Sequence, residues 1–171
     1  MEYRSLIPHP DTPPIAVASI QVASWRDGDR WHLRHLLDGT THLILPDPAE
    51  PGRADQLWQT TCFEAFVRTG DRAYREYNFS ASGQWAAYEF DAPRQNMRNA
   101  DDQIESWLDL GDEWIAVEAA VAAELVAGSP VGLTAVVEET GGHKSYWALA
   151  HPASGPPDFH DPSCFLARLP E

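Results

Sequence analysis

The stretch Thr61-Cys-Phe-Glu-Ala-Phe-Val-Arg-Thr-Gly-Asp-Arg-Ala-Tyr-Arg-Glu-Tyr-Asn-Phe-Ser80 has the pattern of a β-hairpin. Two runs rich in aromatic residues flank a Gly-Asp pair, which supplies the positive φ that a tight hairpin turn requires. In the first run Phe63 and Val67 share one face, and Glu64 lies on the other. The stretch therefore predicts two neighbouring antiparallel strands, each with two chemically different faces.

Similar turn-forming dipeptides recur along the whole chain of 171 residues. Further turn dipeptides are Asp27-Gly28, Asp38-Gly39, Ser82-Gly83, Gly111-Asp112 and Gly141-Gly142. The runs between them are rich in Val, Ile, Thr and aromatic residues, which is typical of strands in a sandwich or barrel. We predict an all-β fold, an antiparallel β-sandwich of about 9–11 strands with immunoglobulin-like or jelly-roll-like architecture. A chain of this length is expected to form a single domain over residues 1–171.

Three local expectations follow from the pattern of individual segments. Alternation in Trp31–Leu37 slips after His35, which predicts a bulge or an edge strand. Val121–Ala127 has the composition of a short helical turn closed by Gly128. The spacing of Ile104, Trp107 and Leu108 fits either a helix or a strand, and we predict a strand before Gly111.

Charge is distributed unevenly along the sequence. Twelve Lys and Arg face 26 Asp and Glu, for a net charge of −14. Residues 99–171 carry most of this excess, because their only basic residues are Lys144 and Arg168. A nucleic acid is not expected as a partner, since no basic cluster is present to neutralise phosphates. The imbalance favours a neutral or cationic ligand.

The N-terminus and the cysteines suggest a compartment. Met1 to Ser5 is charged and is followed by prolines rather than by an apolar segment, so no secretory signal is predicted. No apolar run reaches the length of a membrane span, and no membrane partner is expected. We predict a cytoplasmic protein in which Cys62 and Cys164 are reduced thiols. The oligomeric state cannot be read from the sequence.

Familiar catalytic and metal-binding patterns are missing. His32 and His35 lie three apart on a predicted strand and so face opposite sides, and the other histidines are scattered, so no metal site and no cofactor are predicted. There is no nucleophile elbow, and Cys62 has no adjacent base. Glu138 and Glu139 are consecutive on a strand and point to opposite faces. These features predict a protein that is not an enzyme.

A set of aromatic and polar side chains remains that suits the recognition of a sugar. Flat aromatic rings pack on the C–H faces of a pyranose, and charged or amide groups bind its vicinal hydroxyls. The candidate ligand-binding residues are Trp58, Glu64, Arg75, Asn78, Trp85, Arg94, Lys144, Trp147, Phe159 and His160. The competing explanation is that the tryptophans belong to the core and that Glu64 and Arg75 form a cross-strand ion pair.

Four segments resemble the DOMON-like group of domains, which is related to the family-nine carbohydrate-binding modules. They are Leu57–Val67, Tyr74–Trp85, Ser145–Pro152 and Asp158–Phe165. The resemblance covers roughly residues 55–166 and implies an antiparallel β-sandwich that binds a ligand.

The resemblance also implies roles for particular residues. In the sugar-binding modules a Trp followed after five residues by a Glu supplies an aromatic wall and a carboxylate for hydroxyl groups, and Trp58 and Glu64 have that spacing. Arg75 or Arg94 would stand for the arginine of such a site, and Asn78 for its amide. Near the C-terminus, Phe159 and His160 stand where a second Trp would be expected.

The predicted function is the non-catalytic binding of a small carbohydrate or glycan-like molecule, most simply a neutral, soluble saccharide. One alternative is haem binding, because DOMON relatives use axial Met and His ligands and Met97 is the only methionine besides Met1. A second is a carboxylate-based glycosidase using Glu64 and Glu76. A third is a structural or protein-interaction role without a small ligand. An open groove on the sheet face carrying Trp58, Glu64 and Asn78 would favour a ligand site over this third alternative.

Overall fold

The computed structural model describes residues 3–171 and contains fifteen strands in that range. In chain order the strands are β1 (Tyr3–Ser5), β2 (Ile7–Pro8), β3 (Ser19–Asp27), β4 (Arg30–Asp38), β5 (Leu43–Ile44), β6 (Gly52–Arg53), β7 (Cys62–Arg68), β8 (Tyr74–Ser80), β9 (Gln84–Phe90), β10 (Arg98–Asn99), β11 (Gln103–Leu110), β12 (Trp114–Ala122), β13 (Pro130–Glu139), β14 (His143–Ala148) and β15 (Ala167–Arg168). Two short 3₁₀ turns, Leu57–Gln59 and Pro162–Cys164, complete the secondary structure. Within this range no helix is long and apolar enough to span a bilayer.

The strands form two sheets. The smaller sheet has the order β1-β3-β4-β12-β11, with every neighbouring pair antiparallel. The larger sheet has the order β10-β9-β8-β7-β13-β14-β2, and β5 and β15 also pair with β13. Its single parallel pairing in the described chain joins the two-residue strand β6 to β9.

A hydrophobic core fills the space between the sheets. The smaller sheet contributes Ile20, Leu33 and Val117, and the larger sheet contributes Phe63 and Leu133, all fully or almost fully buried. Because side chains alternate across a strand, these residues come from every second position. The arrangement confirms the predicted antiparallel β-sandwich.

Strand β4 departs from the expected slip after His35. The strand continues without a bulge at the centre of the smaller sheet, between β3 and β12. His35 is fully buried at a core position, and Leu36 is turned outward instead. The expectation of an edge or bulge was wrong because His35 takes an inward position that the sequence pattern reserves for apolar residues.

Two segments in the second half of the chain, residues 103–110 and 121–127, have an ambiguous sequence pattern and a defined structure. Residues 103–110 form strand β11, as predicted. The helical turn expected over residues 121–127 is absent from the described chain, because β12 continues to Ala122 and an irregular segment follows. Pairing of β12 with both β4 and β11 holds the first residues of this segment in the extended conformation.

Glu139 connects the larger sheet to the segment that precedes β3. Its carboxylate accepts hydrogen bonds from the backbone N–H groups of Ile15, Ala16 and Val17, at 2.7–3.2 Å. Burial opposes its ionisation, but these three donors lower the pKa of Glu139 below its usual value. Glu138 lies on the other face of the strand, as the sequence predicts, so the two glutamates do not share a site.

Cys62 and Cys164 are both buried, and each is a free thiol. Burial raises the pKa of Cys164 to about 12 and raises that of Cys62 well above its usual value. Both thiols are therefore protonated and unreactive at neutral pH.

The buried imidazole of His35 predicts a loss of stability in acid. It lies among Phe63 and Phe79, and neither ring nitrogen has a hydrogen bond of good geometry within residues 3–171. Burial lowers its pKa to about 3, although the backbone of Val117 opposes this shift. Between pH ~6.5 and this value the unfolded chain binds a proton that the folded chain rejects, so stability falls as pH decreases. The slope from this single group is at most about 1.4 kcal/mol per pH unit.

His35→Leu should remove that contribution, and urea titrations of both proteins between pH 7 and pH 4 should show a shallower decline in the variant. The exposed His42 provides the matched control, because His42→Asn should leave the pH dependence unchanged. Identical slopes for wild type and His35→Leu would show that His35 does not resist protonation.

Candidate functional site

The outer face of the larger sheet forms the floor of an open cleft. The cleft has a volume of about 690 Å³, and short strands and loops at its edges form its walls. Its lining residues are Asp55, Gln56, Trp58, Glu64, Phe66, Glu76, Tyr88, Phe90, Arg94, Met97, Asn99, Val136, Tyr146, Pro157, Phe159 and His160. Six of these side chains are aromatic rings, not counting the imidazole.

Two aromatic side chains of the cleft, those of Trp58 and Phe159, lie in a 3₁₀ turn or in the loop next to one. Leu57 is buried and anchors its turn, which leaves Trp58 49% exposed at the cleft. Phe159 comes from the loop that precedes the second turn, where Asp161 caps the backbone N–H of Ser163. Trp58 and Phe159 therefore reach the cleft from two segments that are about one hundred residues apart in the sequence.

Two glutamates, here called the floor carboxyls, lie on neighbouring strands of the floor. Glu64 on β7 and Glu76 on β8 are 3% and 6% exposed. Glu64 is directly opposite Asn78 on one side and Thr134 on the other. Oε2 of Glu64 accepts a hydrogen bond from the Thr134 hydroxyl at 3.1 Å, and Oε1 of Glu76 accepts one from the Asn78 amide at 3.0 Å.

Burial makes both floor carboxyls difficult to ionise. Desolvation raises the pKa of Glu76 to about 7, although the Asn78 amide and the charge of Arg94 oppose this rise. Desolvation also raises the pKa of Glu64 well above its usual value, and the nearby charge of Glu76 raises it further. At neutral pH the cleft floor therefore retains protons that exposed carboxyls would have lost.

His160 borders the floor through two different contacts. Its Nδ1 lies 2.6 Å from the hydroxyl of Tyr74, which itself accepts a hydrogen bond from the backbone N–H of Arg94. Its Nε2 lies 3.8 Å from Oε2 of Glu76. Burial, helped by the charge of Arg94, lowers the pKa of His160 to about 4. The ring is neutral at pH 7, so it does not neutralise Glu76.

Other polar groups of the cleft are paired among themselves. The guanidinium of Arg94 lies 2.7 Å from a carboxylate oxygen of Asp158. The hydroxyl of Tyr88 donates to Asp55 at 2.6 Å, and burial followed by this carboxylate raises the pKa of Tyr88. These pairs fix the edges of the cleft and leave the floor carboxyls without an ion-pair partner from Arg94.

Several residues predicted from the sequence meet in this cleft. Trp58, Glu64, Arg94, Phe159 and His160 line it. Asn78 lies on the same face of β8 as Glu76, fully buried beneath the lining. The structure places these six residues together, and their role in binding a ligand stays a prediction.

Four other predicted residues do not line the cleft. Arg75 lies on the opposite face of β8 and pairs with Glu89 and Asp102, so the suggested ion pair with Glu64 does not form. Trp85 packs against the core between the sheets.

Trp147 also belongs to that core, and its indole N–H donates to Ser145 at 2.9 Å. The ammonium group of Lys144 donates a hydrogen bond to the backbone carbonyl of Gln59. Arg75, Trp85 and Trp147 were predicted from their charged or aromatic character, but strand alternation turns them to the face opposite the cleft. Lys144 shares a face of β14 with Tyr146, and its side chain is directed to Gln59 instead of the cleft.

Alternation also marks cleft residues that were not among the ten candidate ligand-binding residues, although Glu76 was named in the glycosidase alternative. Phe66 lies on the Glu64 face of β7, and Glu76 lies on the Asn78 face of β8. Tyr88 and Phe90 continue this surface on β9 through the register between the strands. Extending the Glu64 face strand by strand would have found these residues.

The side chains of the cleft do not fit the haem alternative. Both ring nitrogens of His160 face protein groups, Tyr74 on one side and Glu76 on the other. Met97 lines the same cleft but is 62% exposed and lies outside the strands. An iron ligand would have to displace the Tyr74 contact or the Glu76 contact, and buried carboxyls would then face an apolar macrocycle.

The fold, but not the sequence, has a similar counterpart among known proteins. No protein-family model matches the chain, and no curated protein matches it. A protein from Bacteroides uniformis ATCC 8492, whose crystal structure is described as that of a "putative carbohydrate-binding protein", has a similar structure. The TM-score is 0.67 at 15% identity, and the match covers 96% of this chain and 84% of the other. This likeness supports the β-sandwich fold, and the resemblance to DOMON-like domains stays a prediction.

The raised pKa of Glu76 predicts that a neutral isostere stabilises the protein in mild alkali. Because the folded chain holds a proton that the unfolded chain loses above pH ~4.5, wild-type stability falls as pH rises towards about 7. Glu76→Gln should remove the part of this decline that comes from Glu76, roughly 3 kcal/mol, and leave the part that comes from Glu64. Urea unfolding at pH 5 and pH 8 measures the difference.

The exposed Glu50 is the control, since Glu50→Gln should leave the two stabilities as they are in the wild type. A Glu76→Gln variant that loses as much stability as wild type between these pH values would contradict the assignment.

Proposed function

We propose that the chain is a non-catalytic domain that binds a small carbohydrate in the cleft. The observation that carries the proposal is the position of Trp58, half exposed, at the wall of an open cleft whose floor contains Glu64. An exposed indole beside hydrogen-bonding carboxyls matches the two faces of a sugar ring, one made of C–H groups and one of hydroxyls.

The size and composition of the cleft support a small ligand. A volume of about 690 Å³ lies within the usual range for small-molecule sites, which is roughly 300–1,000 Å³. Phe159 and Tyr146 provide further aromatic surface, and their rings lie 6.1 Å apart at the centroids. The cleft suits one or two sugar rings better than an extended polymer.

Two resemblances support the same proposal. The spacing of Trp58 and Glu64 is similar to that in family-nine carbohydrate-binding modules, and both residues line the cleft. The protein from Bacteroides uniformis with a similar fold is described as carbohydrate-binding.

The protonation of the floor supports binding rather than hydrolysis. Glycosidases pair one protonated carboxyl with one ionised carboxylate that acts as base or nucleophile. Here burial raises the pKa values of both Glu64 and Glu76, so the floor lacks the readily ionised carboxylate that such a pair requires. A glycoside panel incubated with the protein should accordingly release no product.

Trp58→Ala should weaken sugar binding by about two- to tenfold, since stacking on an aromatic ring contributes on the order of 0.5–1.5 kcal/mol. Isothermal titration calorimetry with mono- and disaccharides measures the affinities. Trp107 is the matched control, because it is similarly exposed but lies on the smaller sheet. Trp107→Ala should bind as wild type does.

The proposal would be overturned by the absence of heat with every saccharide at millimolar concentration, or by equal affinities for wild type and Trp58→Ala. Addition of haemin provides an independent comparison. A stoichiometric Soret band that is lost in His160→Ala would favour the haem alternative instead.

A further inference from the structure

When its carboxyls are ionised, the floor of the cleft has more hydrogen-bond acceptors than donors. The ionised floor carboxyls provide four acceptor oxygens, and Oδ1 of the buried Asn78 has no partner among the described residues. The donors that reach this group are the hydroxyl of Thr134 and the amide of Asn78. A ligand that brings N–H donors would restore the balance.

The cations near the floor are engaged elsewhere. Arg94 lies at the cleft but pairs with Asp158 at 2.7 Å. Lys144 donates to the carbonyl of Gln59 and does not line the cleft. Arg75 lies on the opposite face of its strand. Among residues 3–171 no Lys or Arg forms an ion pair with either floor carboxyl.

The remaining titratable groups around the floor do not supply positive charge either. His160 is neutral at pH 7, and its Nδ1 is engaged by Tyr74. Cys62 is a buried, protonated thiol. The hydroxyl of Tyr88 donates a hydrogen bond to Asp55, whose carboxylate adds a negative charge at the cleft. Tyr146 contributes a neutral phenol.

Resting on the proposed function, we propose that the sugar bound here is an amino sugar whose ammonium group lies at the floor between Glu64 and Glu76. The floor carboxyls become the anionic partners when they ionise, and the six aromatic rings of the cleft lining provide further attraction for a cation. An N-acetylated or hydroxyl-bearing sugar of the same shape brings no positive charge, and the floor discriminates against it.

Binding of the ammonium group involves a proton balance. The amine enters in its protonated form, and its charge favours the ionised form of the floor carboxyls, so a carboxyl proton passes to solvent. No covalent bond is formed or broken in the sugar. Raised pKa values at the floor mean that this release is measurable near neutral pH.

Calorimetry on the full chain at about pH 6.5 tests the proposal with matched ligands. Glucosamine, galactosamine and mannosamine are compared with their N-acetylated and 2-hydroxyl counterparts. At least one amino sugar should bind about tenfold or more tightly than both of its counterparts. Repeating the titration in buffers of different ionisation enthalpy should show net proton release for the amino sugar alone.

Glu76→Gln tests the role of the floor directly. This variant keeps the shape of the side chain, and the ratio of affinities for the amino sugar and the N-acetyl sugar should fall towards one. Glu50→Gln should keep the wild-type ratio. Circular dichroism of both variants verifies the fold.

The outcomes separate this proposal from the proposed function. Equal affinity for charged and neutral sugars, without proton release, would overturn the amino-sugar proposal and leave carbohydrate binding intact. Binding of spermidine with no binding of any sugar would overturn both. Selectivity for the amine that persists unchanged in Glu76→Gln would overturn the placement of the ammonium group at the floor.

Discussion

Alternation of side chains across the larger sheet is the constraint on which both the sandwich core and the cleft floor depend. When Phe63 and Leu133 face the smaller sheet, Glu64 and Thr134 are turned to the other side. A shift of one residue in register would bury the glutamate between the sheets and expose the core. The sandwich core and the cleft floor are therefore two consequences of one register.

The cleft retains carboxyls that burial disfavours. A buried charge without a partner costs free energy, and a protein commonly avoids this cost by holding the group protonated. Both floor carboxyls follow this behaviour, although Arg94 is close enough to affect Glu76. Asp158 engages that guanidinium, so the floor keeps its protons instead of gaining an ion pair.

Local sequence pattern predicted the strands well because each carries its own alternation and turn. It predicted the site less completely, since Phe63 and Phe66 are equally apolar although one lies in the core and the other in the cleft. Residue type suggested Arg75 and Trp147 as ligand-binding residues, although both lie on strand faces that point away from the cleft. Contacts between distant segments decide which face of the larger sheet is covered by the smaller sheet, and local pattern does not record them. His35 shows in addition that a core position need not be apolar.

Hydrogen bonds and an ion pair within the chain hold the edge of the cleft in place. Arg94 has a φ of 56°, a conformation that costs a non-glycine residue on the order of 1 kcal/mol or more. Its backbone N–H donates to Tyr74 and its side chain pairs with Asp158, while the hydroxyl of Tyr74 also contacts His160. Two loops far apart in sequence are thereby joined across the floor. Because these contacts fix the edge, a ligand would order few further groups there, and the proposed preference for an amino sugar therefore rests on the charge and hydrogen-bonding balance of the floor.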